Sequence, residues 1–175
     1  MPNLMCNHLI IHGERAVEIM RSVLVESEET DCAYELDFEK IVPMPEELNT
    51  YGNLDSCDWR EHNWGTKWNA YHTQINDIEK ADIYFDTAGS QVPQIIKALS
   101  EKYPDCKFEY EYAEERAGGY AGFYDYENGI AVSYADYDEG CKEAYQMFFA
   151  LWGQEDEFKF NPKTNTYEPI DGEVM

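Results

Sequence analysis

The sequence has few basic residues for its size. Its 175 residues include 13 lysines and arginines against 36 aspartates and glutamates, which gives a formal net charge of -23. A surface of this sign repels nucleic acids and anionic membranes and attracts basic proteins. The shortage of positive charge therefore argues against direct nucleic-acid or membrane binding. It leaves two interpretations of the acidic surface open, attraction of a basic protein partner or solubility alone.

A long apolar run is also missing. Residues 1–8 show no basic stretch followed by an apolar one, and no apolar stretch approaches the roughly 20 residues that cross a bilayer. We therefore expect a cytoplasmic protein.

The cysteines do not form metal-binding or disulfide patterns. Their number is odd and no two are spaced as Cys-x-x-Cys, which is typical of free thiols in a reducing compartment. Cys57, His62 and His72 lie close in sequence, but a closed zinc site needs four ligands at a recognisable spacing. His8 and His12 would lie roughly 13 Å apart along a strand. We expect no metal and no cofactor.

Catalytic signatures are missing as well. No serine or cysteine stands in the sequence context of a nucleophile elbow, and the glycines do not form a phosphate-binding loop. Adjacent carboxylates such as Glu114 and Glu115 are uninformative in a chain with so many of them. The sequence predicts no catalytic residue, and a small uncharacterised enzyme stays an alternative.

Apolar and aromatic residues, by contrast, are plentiful. The chain is 43% hydrophobic and 15% aromatic, far more than a disordered acidic chain carries. Because the acidic residues are spread along the chain among the aromatic ones, we expect them to coat one compact domain, residues 1–175.

Short apolar runs predict strands, and longer runs of helical period predict helices. Strands are predicted at residues 7–12, 36–42, 81–87, 106–112, 120–126 and 130–134. Helices are predicted at residues 14–25, after Ser90, and between Asp138 and Gly153. The alternation is clearest in residues 106–112, where one face is aromatic and the other charged. Residues 43–80 are interpreted as an insertion between the second and third strands, and residues 154–175 as a polar tail.

The order of these elements predicts the fold class. The chain begins with the split β-α-β repeat of a ferredoxin-like sandwich. Its elements follow in the order strand, helix, strand, insertion, strand, helix and strand. We expect an α+β fold with a mostly antiparallel sheet, helices on one face, and a C-terminal hairpin and helix.

Several segments also resemble a known family. They are Met1-Pro2-Asn3, Cys6-Asn7, residues 38–48, residues 63–70, residues 85–88 and Pro93. In that order they resemble the YubB-like family of plasmid- and phage-borne bacterial proteins, over roughly residues 1–125. The resemblance implies a ferredoxin-like domain and carriage on mobile elements. It supplies no reaction and no catalytic residue.

The Trp-Gly-Thr-Lys-Trp run at residues 64–68 has two interpretations. Trp64 and Trp68, with Lys67 between them, could form a loop that binds a protein or peptide. Alternatively, two tryptophans four residues apart on one helical face could cover an open end of the sheet. The sequence leaves both open.

The leading functional hypothesis uses the acidic residues. Carboxylates at phosphate-like spacing could occupy the nucleic-acid channel of a basic host protein, as in an anti-restriction or anti-CRISPR inhibitor. The predicted contacts lie on the charged face and exit of the strand at residues 106–112, and around the last helix. They are Glu109, Glu111, Glu114, Glu115, Asp136, Asp138, Glu139 and Glu143. Pairing with another copy of the chain is left open.

Overall fold

The structure is a computed structural model that describes residues 3–27, 32–48 and 54–170. Its strands are β1 (Leu4–His12), β2 (Leu24–Glu26), β3 (Tyr34–Leu36), β4 (Tyr71–Asp77), β5 (Asp82–Ala88), β6 (Lys107–Glu114), β7 (Ala121–Glu127), β8 (Ile130–Tyr137), β9 (Phe158–Asn161) and β10 (Thr166–Pro169). Its helices are α1 (Ala16–Val23), α2 (Leu54–Asn63), α3 (Pro93–Lys102) and α4 (Lys142–Trp152).

Six of the described strands form one antiparallel sheet in the order β4-β5-β1-β6-β7-β8. Within it, β1, α1, β4, β5, α3 and β6 follow the β-α-β-β-α-β order of a ferredoxin-like domain. The hairpin of β7 and β8 then widens the sheet beyond β6. The predicted ferredoxin-like α+β fold is therefore confirmed.

One face of this sheet, which we call the inner face, packs against α1 and α3. Alternate residues of each strand point to it, and those in the middle of the sheet, such as Leu9, Phe85 and Phe108, are fully buried. Ile19 and Leu99 bring the apolar sides of the two helices onto these residues. The apolar residues that recur every 2 positions in the strands and every 3.6 positions in the helices thus pack together in one core.

The opposite face, which we call the outer face, is only partly covered. α4 packs here, where Ala144 contacts Ala113 of β6 and Ala121 of β7. Trp152 Nε1 also donates to the Ala113 carbonyl over 3.0 Å. The prediction placed the helices on one face, but two small alanines side by side leave room for α4 on the other. The rest of the outer face is not covered by α4.

The second predicted strand is wrong beyond Leu36. β3 pairs with β2 in a separate two-stranded sheet, and Phe38–Lys40 forms a 3-10 turn with Asp37 as its cap. The strand that joins the main sheet after α1 is β4, which lies inside the predicted insertion 43–80. Residues 49–53 of that insertion and 171–175 of the predicted tail lie outside the described residues.

The start of the last helix also differs from the prediction. Cys141 caps α4 and accepts from the Ala144 amide through Sγ, whereas Asp138 precedes the cap. Gly153 ends the helix as predicted. The polar tail then folds into the β9–β10 hairpin, and Phe158 and Tyr167 pack on Tyr145 of α4.

Candidate functional site

A groove of about 530 Å³ lies on the outer face beside α4. Its floor consists of side chains from three neighbouring strands, and Tyr137 and Met147 form a wall at one side. The lining residues are His8, Ile10, Glu109, Glu111, Phe123, Asp125, Tyr137 and Met147.

The strand register arranges the floor in two rows. In one row Glu111 pairs with His8 on one side and with Phe123 on the other. In the next row Glu109 pairs with Ile10 and with Asp125. Because neighbouring strands lie about 4.8 Å apart, the members of each row are in side-chain contact range. The floor therefore combines carboxylates, an imidazole and apolar groups within a small area.

His8 is held between two carboxylates. Its Nε2 lies 2.9 Å from Asp82 Oδ1, and its Nδ1 lies 3.2 Å from Glu111 Oε2. The ring stacks on Tyr84 with 4.1 Å between centroids and an interplanar angle of 1°. Burial disfavours the charged imidazole, but the bonds and charges of Glu111 and Asp82 outweigh it, so the pKa of His8 is raised.

The two contacts of the His8 ring favour a charged imidazolium over a group that transfers protons. A general base needs a free ring nitrogen within reach of its substrate. In His8 both nitrogens already contact carboxylates, which suits an imidazolium that neutralises part of the acidic floor. Asn76 supports the same arrangement by donating to Asp82 Oδ2 over 2.6 Å.

Lys107 neutralises the second row. Glu109 and Asp125 stand opposite each other across β6 and β7, and like charges in that position repel. Lys107 Nζ lies 2.8 Å from Glu109 Oε1 and 3.3 Å from Asp125 Oδ2. The bond from Lys107, aided by His12, lowers the pKa of Glu109. The predicted contacts Glu109 and Glu111 thus line the groove, already paired with cations of the chain itself.

Four other predicted contacts form a second acidic surface, which we call the acidic end: Glu115, Asp138, Glu139 and Glu143. They are exposed and come from the β6–β7 loop, the loop between β8 and α4, and the first turn of α4. The Gly140 amide donates to the Gly118 carbonyl over 2.8 Å, which ties the two segments together. Arg116 adds an ion pair with Glu139 at 3.0 Å.

Two of the predicted contacts lie outside both the groove and the acidic end. Glu114 is buried and binds Asn3, the Tyr120 amide and Arg116, so it cannot contact a partner directly. Asp136 is exposed but points to the inner face, where it accepts from Tyr112 and Tyr124. Asp136 pairs with Gly122 of β7, which pairs with Tyr112 of β6 on the inner face, so Asp136 lies on the opposite face of the sheet from Glu109 and Glu111.

The tryptophan run is divided between core and surface. α2 ends at Asn63, so Trp64 and Trp68 do not share a helical face. Trp64 is 2% exposed, donates to the Val42 carbonyl and packs edge-on against Phe38. Trp68 is 48% exposed, and Lys67 beside it lies 3.5 Å from Glu61. Trp64 as a binding residue is therefore a wrong prediction, because it belongs to the core.

Sequence reasoning missed His8, Asp82 and Asp125 as members of one site. These residues are far apart in the chain and come together only because β1 lies between β5 and β6 and β7 lies on the other side of β6. The alternation of residues 106–112 did indicate that Glu109 and Glu111 share a wet face.

Among the described residues, no group of three or more His, Cys, Asp or Glu side chains is arranged to hold a metal ion. Within the same part of the chain, no helix combines the length and the apolar character needed to cross a bilayer.

Comparisons with known proteins concern the fold and the family. No curated protein matches the chain. A crystal structure of the protein api92 from Yersinia pseudotuberculosis is 20% identical, with a TM-score of 0.43, over 60% of this chain and 40% of that one. The chain thus spans about two fifths of the length of that protein. The family model described as the ferredoxin-like domain in Api92-like protein matches residues 67–155, from β4 to the end of α4. Because this match covers half of the chain, the chain belongs to the Api92-like family with its ferredoxin-like domain.

Proposed function

We propose that this protein is a non-enzymatic accessory protein of a mobile element, which acts in the cytoplasm by binding a basic host protein that handles nucleic acid. Its acidic end takes the place of phosphates in the channel of that host protein. The resemblance to YubB-like proteins supports the link to plasmids or phages, and the net charge of -23 supports the basic partner.

The observation that carries the proposal is the fixed acidic end. Glu115 and the three carboxylates before and within the first turn of α4 project from two segments that are bonded together. Of the two basic residues beside them, Arg116 pairs with Glu139, and Lys142 is directed over the Phe160 ring at 5.3 Å. A preordered array of carboxylates loses little conformational freedom on binding and can match rows of lysine and arginine.

The test replaces the four carboxylates and follows host proteins by affinity capture. The variant Glu115→Gln/Asp138→Asn/Glu139→Gln/Glu143→Gln removes four charges from the acidic end. We expect it to lose the captured partner, and we expect wild-type capture to weaken steeply with salt and to be blocked by added DNA.

A matched control keeps the change in net charge but moves it elsewhere. Glu14→Gln/Glu155→Gln/Asp156→Asn/Glu157→Gln also removes four exposed charges. The proposal is wrong if this control loses the partner equally, or if capture does not respond to salt.

Trp68 supports a second candidate, a protein or peptide interaction module. Its large exposed ring and the neighbouring Lys67 offer an aromatic anchor beside a positive charge. This function predicts that Trp68→Ala abolishes capture while salt has little effect. The same capture experiment therefore separates the two candidates.

A further inference from the structure

The groove beside α4 has two chemically different sides. Carboxylates occupy β6 and one end of β7, whereas Phe123, Tyr137 and Met147 form an apolar corner. Its volume of about 530 Å³ falls within the range of about 300–1,000 Å³ that is usual for small ligands and inserted groups. Such a lining fits a ligand that carries a positive charge on an apolar stem.

The carboxylate that can accept such a charge is Glu111. Glu109 and Asp125 share Lys107, whereas Glu111 contacts His8 through Oε2 and keeps 42% of its side chain exposed. A second donor can therefore reach it. Asp82, His8 and Glu111 together keep a net negative charge even when the imidazole is protonated.

The groove is continuous with the acidic end. Tyr137 of the groove directly precedes Asp138. Along α4, Glu143 and Met147 are four residues apart and thus lie on the same side of the helix. A basic protein bound at the acidic end would pass directly over the groove.

We infer that the groove receives one arginine side chain of the basic protein partner, with the guanidinium on Glu111 and the stem against Phe123 and Met147. Arginine fits better than lysine because its planar group bonds a carboxylate in a fork and stacks on aromatic rings. The inference rests on the proposed function, since that function supplies the basic partner.

The test uses blocked arginine, N-acetyl-arginine N-methylamide, as the probe. Protein labelled at the methionine methyl groups is titrated at low salt, and the Met147 signal is followed by NMR. We expect it to shift saturably with the arginine probe. The blocked citrulline probe, which has the same shape and no charge, should bind about tenfold more weakly or worse. Blocked lysine should fall between the two.

Variants locate the site. Glu111→Gln and Phe123→Leu should each weaken the arginine probe, the former by about tenfold. Glu155→Gln removes an equal charge from an exposed position away from the groove and should leave binding unchanged. Thermal unfolding shows whether each variant is folded. If Glu111→Gln does not fold, Phe123→Leu still tests the inference.

The inference is overturned if citrulline shifts Met147 as strongly as arginine, or if the folded groove variants bind arginine unchanged. Its failure is distinct from failure of the proposed function. Loss of host capture in the acidic-end variant with no arginine response in the groove leaves the function standing and removes the inference. Arginine binding in the groove without salt-sensitive capture refutes the proposed function and leaves the groove as an arginine site whose partner is not the proposed host protein.

Discussion

The inner and outer faces of the sheet use polar groups in opposite ways, and neighbouring residues of β1 show the difference. Asn7 on the inner face is fully buried and donates to the Phe85 carbonyl and Thr87, while Tyr110 donates to its Oδ1 over 2.6 Å. His8 on the outer face bonds the nearly buried Asp82 and also Glu111, which solvent still reaches. The polar group of Asn7 is fully used in bonds that fix the strands to one another. The Glu111 carboxylate on the outer face can still bind another molecule.

The largest test of this contrast compares Phe85→Ala with Tyr84→Ala, two consecutive residues of β5. Phe85 is fully buried against Phe38, so its loss should lower the free energy of unfolding by about 3–5 kcal/mol. Tyr84 stacks on His8 at the half-buried outer face, and its loss should cost about 1 kcal/mol. Urea unfolding measures both. Equal costs would mean that the outer face is as much a core as the inner one.

Removal of the inner polar group should have the next largest effect. Asn7→Ala leaves the Tyr110 hydroxyl and Thr87 without their buried partner, which should cost about 2–3 kcal/mol. The control is Asn76→Ala, because Asn76 is exposed and donates to Asp82 on the outer side. Its cost in the same unfolding experiment should stay below about 1 kcal/mol. A smaller loss for Asn7 than for Asn76 contradicts the comparison.

On the outer face, His8 should make stability depend on pH. Because the pKa of His8 is raised in the folded protein, its contribution is fully present below the unfolded value of about 6.5 and is lost as the pH rises through the folded value. His8→Gln should therefore destabilise more near about pH 5 than near about pH 9. The difference should stay below about 1 kcal/mol, since the pair with Glu111 is partly exposed. Unfolding curves across this range check the sign, and a larger loss at alkaline pH would refute it.

The smallest expected effect concerns Lys107. Lys107→Gln leaves Glu109 and Asp125 facing each other without their shared cation, which should cost about 0.5 kcal/mol. Added salt should reduce this loss, because it screens exposed charges. Lys97→Gln, which removes an exposed pair with Glu101 on α3, is the matched control. If the loss at Lys107 is unchanged by salt, the outer carboxylates do not interact through charge.

The strands with regular alternation could be predicted from the sequence, whereas the irregular one could not. β6 alternates without interruption and was located almost to the residue. β4 contains register shifts against β5 and a positive φ of 51° at His72, so no clean period of 2 marks it. The aromatic residues and histidines around it were therefore interpreted as an insertion.

The candidate site could likewise be predicted only where its residues lie on one strand. Parity along one strand was enough to place Glu109 and Glu111 on one face. The contact of His8 with Asp82 and Glu111 joins residues 74 and 103 positions apart, and it follows only from the strand order. The burial of Glu114 and Trp64 likewise depends on tertiary contacts that no local pattern contains.

The central place of β1 has a consequence for how the chain folds. β1 pairs with β5 and β6, so one of its edges stays unsatisfied until Ala88 has left the ribosome and the other until Glu114 has done so. Contacts of such long sequence separation slow folding, and domains rich in them fold in about milliseconds to seconds. We therefore expect the amides of β1 that bond to β6 to gain hydrogen-exchange protection later than those that bond to β5.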